Sequence, residues 1–160
     1  MKKICLGFLT GHTRGATITI DGEVKVSIAN ERITRLKTDA SKAIPIESID
    51  YCLNALGLTY NDVDLYVYNT TQENADIPNN FQQLTGQPLD KLKFLPHHMA
   101  HAYSTFYASN FEEAVVVVAD AMGSLYNDDT PIKDWYQYYE KNKEKIREKA
   151  HNYIENNKEK

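Results

Sequence analysis

Cysteine is scarce in this 160-residue chain, with only two present. Cys5 lies in an apolar run, Cys52 lies in a predicted helix, and neither has a C-x-x-C partner. Buried free thiols are therefore expected, not a disulfide or a redox pair. Long hydrophobic runs are absent too. No stretch approaches the roughly 20 apolar residues of a membrane helix, and Ile4 to Leu9 is too short for the core of a signal peptide. A cytoplasmic protein with no membrane partner is the expectation. Positive charge is not in excess either: 18 Lys and Arg against 22 Asp and Glu leave a net charge of −4. That balance argues against bulk binding of nucleic acid. What is present is ordinary for a globular domain, at 42% hydrophobic and 25% charged residues, enough for one well-filled core.

The densest chemistry lies in Leu95-Pro96-His97-His98-Met99-Ala100-His101-Ala102, where three of the five histidines fall within five residues. Pro96 suits a helix entry, because its missing N–H is not needed there. Small residues (Ala100, Ala102, Ser104, Thr105) and bulky ones (Tyr103, Phe106, Tyr107) continue the pattern to a stop at Ser109-Asn110. On such a helix His97 and His101 are four apart and share a face, so one metal ion can take both imidazoles. His98 points elsewhere. The plainer alternative is that the histidines only cap and decorate the helix. Next comes Ala114-Val115-Val116-Val117-Val118-Ala119, an apolar and β-branched run that reads as a strand buried on both faces. Asp120 would stand at its carboxyl end, where open α/β sheets gather ligands.

Upstream, Lys3 to Leu9 reads as a strand, and Gly11 and Gly15 bracket the turn His12-Thr13-Arg14. Ala16 to Ile20 and Glu23 to Ala29 alternate around Asp21-Gly22, a hairpin signal. Asn30 to Ser41 is a locally basic loop with Arg32, Arg35 and Lys37. Either it is simply solvated or its cations clamp an anion. Pro45 opens a helix with Ile46, Ile49, Leu53 and Leu56 on one stripe and Gly57 as its stop. Leu65 to Tyr68 is a strand. Asn69 to Asp90 is a long loop with one short helix near Phe81 to Leu84, and Lys91 to Leu95 is a short strand. Beyond Ser124, residues 125–134 read as a polar loop, Trp135 to Tyr139 as a candidate strand, and 140–160 as a charged helix with a frayed tail. A hairpin over 135–150 stays open.

Several of these segments, in this order, resemble the carbamoyltransferases of the NodU/TobZ type, relatives of the tRNA threonylcarbamoyladenosine synthases. The resemblance rests on LPHHMAHAYSTFY, the strand after it and D-x-x-G-S at Asp120 to Ser124. It also rests on Gly7 to His12 with Gly15 to Gly22, on Asn30 to Lys37 as an E-R-x-[ST]-R-x-K segment, and on Ile49 to Leu58. It covers about residues 3–125.

The fold implied is α/β: the first lobe of the actin/hexokinase/Hsp70-like (ribonuclease H-like) ATPase fold. That is a mixed sheet with flanking helices plus the opening strand of the second lobe. Residues 1–125 would form this lobe and 126–160 a polar loop and charged tail. The resemblance implies transfer of a carbamoyl group from carbamoyl phosphate through a carbamoyl-adenylate, with ATP and a divalent metal, iron or manganese. Carried over by motif, His97, His101 and Asp120 would be metal ligands. Gly11, Asp120 and Gly123 would line the cofactor site, and His12, Arg35 and Lys37 would act on the transferring group and its anionic substrate. Where the family places an Asp after His12, this chain has Thr13-Arg14.

Because the second lobe has barely begun by residue 124, a truncated or split enzyme is expected, inactive as the isolated chain. ATP would then bind only when a protein partner or a second copy supplies that lobe. The alternative is a non-catalytic regulatory lobe that pairs with a partner subunit. A tRNA-modifying role is disfavoured, because HHMAHA and DAMGS look closer to the small-molecule enzymes.

Overall fold

The computed structural model describes residues 2–11, 13–37, 43–70, 76–109, 111–118, 126–127 and 130–131. The chain divides into two compact units, Met1–Leu95 and Pro96–Lys160.

The first unit is built on a five-stranded sheet. Its strands are β1 (Ile4–Leu9), β2 (Gly15–Ile20), β3 (Glu23–Ala29), β4 (Leu65–Asn69) and β5 (Leu92–Phe94), in the order β3-β2-β1-β4-β5. β2 runs antiparallel to β1 and β3, whereas β4 is parallel to β1 and to β5. The β2–β3 hairpin closes at the predicted Asp21-Gly22, both at positive φ (53° and 85°). Between β3 and β4 lie α1 (Asn30–Thr34) and α2 (Ile46–Ala55), and between β4 and β5 lies α3 (Ile77–Thr85).

Alternation along the strands makes one apolar face. Val26, Ile18, Leu6, Tyr66 and Leu92 form one row across the sheet, and Ile28, Ala16, Phe8, Tyr68 and Phe94 form the next. The apolar stripe of α2 packs here through Ile49, Cys52 and Leu53, with the Cys52 thiol donating to the Ala16 carbonyl at 3.5 Å. Phe81 of α3 stacks on Phe8 (6.0 Å between centroids) and meets Tyr66 edge-on at 4.9 Å. Tyr66 and Phe81 are fully buried, and each side chain contributes roughly 2–3 kcal/mol by leaving water. The other face is more polar, with Thr17 and Ser27 hydrogen-bonded across strands at 2.7 Å.

The order of strands and helices in this unit is the expected one, with two changes of detail. The predicted loop after β3 begins as the short helix α1. The helix near Phe81 is longer than the sequence pattern shows. Thr59 to Asp62 is a 3-10 turn closed by a capping box, in which Asp62 accepts from the Thr59 backbone and hydroxyl, both at 2.7 Å.

In the second unit, α4 spans His97–Ala108 behind Pro96, as its sequence implies. Of the strand expected at 114–119, the described residues 114–118 have no strand pairing, and Val115 and Val117 are 50% and 69% exposed. An opening strand for a second lobe is therefore absent over these five residues. A strand satisfies its backbone only through a neighbouring strand, and among the described residues this segment has none. Within the predicted polar loop, Tyr126–Asn127 pairs antiparallel with Thr130–Pro131. The readings for 135–160 lie outside the described residues. Among the described residues, no helix is long and apolar enough to cross a membrane.

Candidate functional site

Because β1, β4 and β5 are parallel, their carboxyl ends emerge along one edge of the sheet, the edge where open α/β sheets collect ligands. Buried polar residues gather there. Thr10 (2% exposed) follows β1 and donates its N–H to the Asn69 carbonyl at 3.2 Å. Asn69, which ends β4, donates from Nδ2 to the Leu95 carbonyl at 2.8 Å. Leu95 in turn donates its N–H to the Tyr68 carbonyl at 2.9 Å. Gly11 follows Thr10 with φ at 108°, a conformation that excludes ordinary side chains.

The far end of the same loop is tied to α1. Arg14, only 8% exposed, accepts the Asn30 N–H at its carbonyl at 2.8 Å. Asn30 is buried and accepts the Ser48 hydroxyl at 2.8 Å. Gly15 is obligatory beside it: a Cβ there would lie 2.8 Å from the Ile28 carbonyl oxygen and 3.3 Å from the Ala29 Cα. The predicted anion contacts Arg35 and Lys37 lie exposed on the segment after α1.

The predicted histidine pair is brought together. On α4 the Nε2 atoms of His97 and His101 are 3.1 Å apart, with the rings edge-on at 4.5 Å between centroids. Two imidazole nitrogens each about 2.1 Å from one metal ion, at about 95° to each other, are separated by roughly this distance. The same 3.1 Å is also hydrogen-bond distance, with one ring nitrogen donating to the other. His97 is half-buried and His101 exposed. Among the described residues, no group of three or more His, Cys, Asp or Glu converges on one point. His12, Asp120 and Gly123 lie outside the described residues.

The sequence reading did not single out Thr10, Asn30, Ser48 or Asn69, and treated Arg14 only as part of a turn. The available signal was a short polar residue directly after an apolar strand, as in Thr10 after Leu9 and Asn69 after Tyr68. Among the described residues, neither cysteine joins these polar clusters or the histidine pair. Burial pushes both thiols above the ordinary value, leaving them protonated and unreactive near neutral pH.

No protein-family model matches the chain. It is similar to the nodulation protein NolNO of Sinorhizobium fredii, 29% identical over 138 residues that cover 71% of this chain and 20% of that protein. It is also similar to the uncharacterized protein sll1178 of Synechocystis, 27% identical over 150 residues covering 70% of this chain and 24% of the relative. An uncharacterized 19.2 kDa protein from the syrM 5′ region of Rhizobium etli matches at 36% identity over 61 residues, 38% of this chain and 34% of that protein. The chain thus spans about a fifth to a third of the length of these curated relatives.

Proposed function

We propose that this chain forms the first lobe of a carbamoyltransferase of the NodU/TobZ type, acting on carbamoyl phosphate and ATP with a divalent metal. The observation that carries the reading is the His97–His101 pair, whose Nε2 separation of 3.1 Å suits one metal ion. Distant similarity to the nodulation protein NolNO supports a carbamoyltransferase-family relationship. The sheet also agrees with the lobe: an antiparallel three-stranded opening, a polar turn after β1, then parallel strands on the other side of β1.

In this reading His97 and His101 hold the metal, with Asp120 as the further ligand. The bound ion would supply positive charge against phosphate oxygens. A Cβ on Gly11 would meet nothing within 4 Å, and a phosphate would approach the backbone of the β1–β2 loop at this position. His12 contacts the carbamoyl or phosphate group, and Arg35 and Lys37 neutralise the anionic substrate. Carbamoyl transfer through a carbamoyl-adenylate needs a site that fixes both the phosphate and the acceptor. Charge stabilisation by metal and cations is the main contribution such a site makes.

The test is calorimetric titration of the purified chain with manganese. His101→Ala should abolish binding, and His98→Ala should leave most of it. Equal losses at the two positions would remove the shared-metal geometry and with it the main support for this function.

A further inference from the structure

Residues 114–118 read Ala-Val-Val-Val-Val, and among the described residues they pair with no strand. Val115 and Val117 are 50% and 69% exposed, and Phe111 just before them is 70% exposed. β-branched side chains favour extended backbone and sit well on a pleated surface. An extended segment of this kind presents unpaired N–H and C=O groups to any open strand edge. Consecutive apolar side chains left in water add a second reason to pair.

The first unit carries such an edge. β3 is the outermost strand of its sheet and, among the described residues, pairs only with β2. It is seven residues long, against three for β5 at the opposite edge. Strand edges are commonly guarded by a bulge or a lysine. Here the register shift falls between Ile18 and Thr19 of β2, so 26–29 of β3 keep a regular ladder with 15–18. The lysine on this edge, Lys25, is held by Glu23 of the same strand. Val24, 66% exposed, offers an apolar neighbour to an incoming valine.

Charge sets the direction of pairing. Glu112 and Glu113 stand just before the valines, and both are exposed. Beyond the carboxyl end of β3, the exposed cations Arg32, Arg35 and Lys37 follow one another. At its amino end stand the exposed acids Asp21 and Glu23. Antiparallel addition brings the two glutamates to the cations, whereas parallel addition brings them to the acids. We propose that residues 114–118 add as an antiparallel strand to the β3 edge of a second copy of this chain. Main-chain hydrogen bonds then supply the affinity, and the flanking charges fix the direction. Exchange of the segment in both directions closes a dimer. The pairing needs neither carbamoyl phosphate nor a metal, so it stands or falls apart from the function proposed above.

The test is sedimentation equilibrium of the full chain at low ionic strength, over a range of protein concentrations. The wild type should self-associate. Val115→Pro and Val116→Pro remove N–H groups from adjacent residues, which point to opposite sides of a strand. One of the two should weaken association by about tenfold or more. Neither should lower the thermal midpoint of the dilute chain, because the segment pairs with no strand of its own chain. Glu112→Lys with Glu113→Lys should also weaken association, and adding Arg32→Glu and Lys37→Glu should recover most of the loss. A wild-type chain that stays monomeric throughout would overturn the proposal. So would association untouched by both prolines, or a charge reversal that recovers nothing.

Discussion

Asn69 and Leu95 are joined by a side-chain hydrogen bond, Nδ2 to carbonyl at 2.8 Å, that ties the end of β4 to the end of β5. The backbone carbonyl of the same asparagine accepts from Thr10 at the end of β1. One residue therefore holds the carboxyl ends of three parallel strands in register.

Asn69→Ala should lower unfolding stability by about 1–3 kcal/mol, since it removes the Nδ2 donor from a part-buried carbonyl. Asn69→Asp should cost more, because it sets a carboxylate oxygen against that carbonyl. Urea denaturation of the three proteins checks the order. An aspartate variant as stable as the wild type would show that the donor is unimportant.

Gly15→Ala tests a close backbone approach between β2 and β3. The added Cβ meets the Ile28 carbonyl oxygen at 2.8 Å, and both β2 and β3 are held by their ladder. A loss of about 1–3 kcal/mol is expected, the range for overpacking. Gly22→Ala is a useful comparison: its Cβ meets nothing within 4 Å, so any loss there comes from its φ of 85° alone.

Alkaline pH should unfold the protein through its buried tyrosines. Burial raises the Tyr60 hydroxyl well above its ordinary value, and its 2.6 Å hydrogen bond to Asp50 adds to the shift. Burial likewise raises Tyr66, which donates to the Tyr60 carbonyl at 2.7 Å. For an acid whose folded pKa is raised, the stabilisation is complete below the unfolded value of about 10. It is lost as pH climbs from there toward the folded value. Thermal midpoints measured between pH 8 and pH 11 should be level at first and then fall. Tyr60→Phe should lower the midpoint at pH 8 and make the later fall less steep. An unchanged slope would mean that Tyr60 is not one of the groups responsible.

Asp62 has the opposite sign. Hydrogen bonds from Thr59, the hydroxyl first and the backbone second, hold its carboxyl below the ordinary range. The capping contribution is then present above about pH 4 and lost as pH falls through the folded value. Asp62→Asn should weaken the acid dependence of the Tyr60–Asp62 turn, read from amide exchange at Asp62 and Val63. Equal acid sensitivity in the two proteins would count against the cap.

Local pattern alone determined much of the first unit. Asp21-Gly22 is a turn whatever surrounds it, because its backbone angles suit few other pairs. The apolar stripe of α2 and the span of α4 follow from spacing, and four-residue spacing on a helix is itself a contact, which is why His97 and His101 meet as expected. Tertiary structure decided what depends on distant partners. Residues 114–118 have the composition of a buried strand, yet a strand exists only where another offers its hydrogen-bonding edge, and no composition supplies that edge. The same dependence hid Thr10, Asn30, Ser48 and Asn69, ordinary polar residues in the sequence. Their importance arises only when parallel pairing brings the ends of β1, β4 and β5 to one edge, and when α2 buries Ser48 against Asn30.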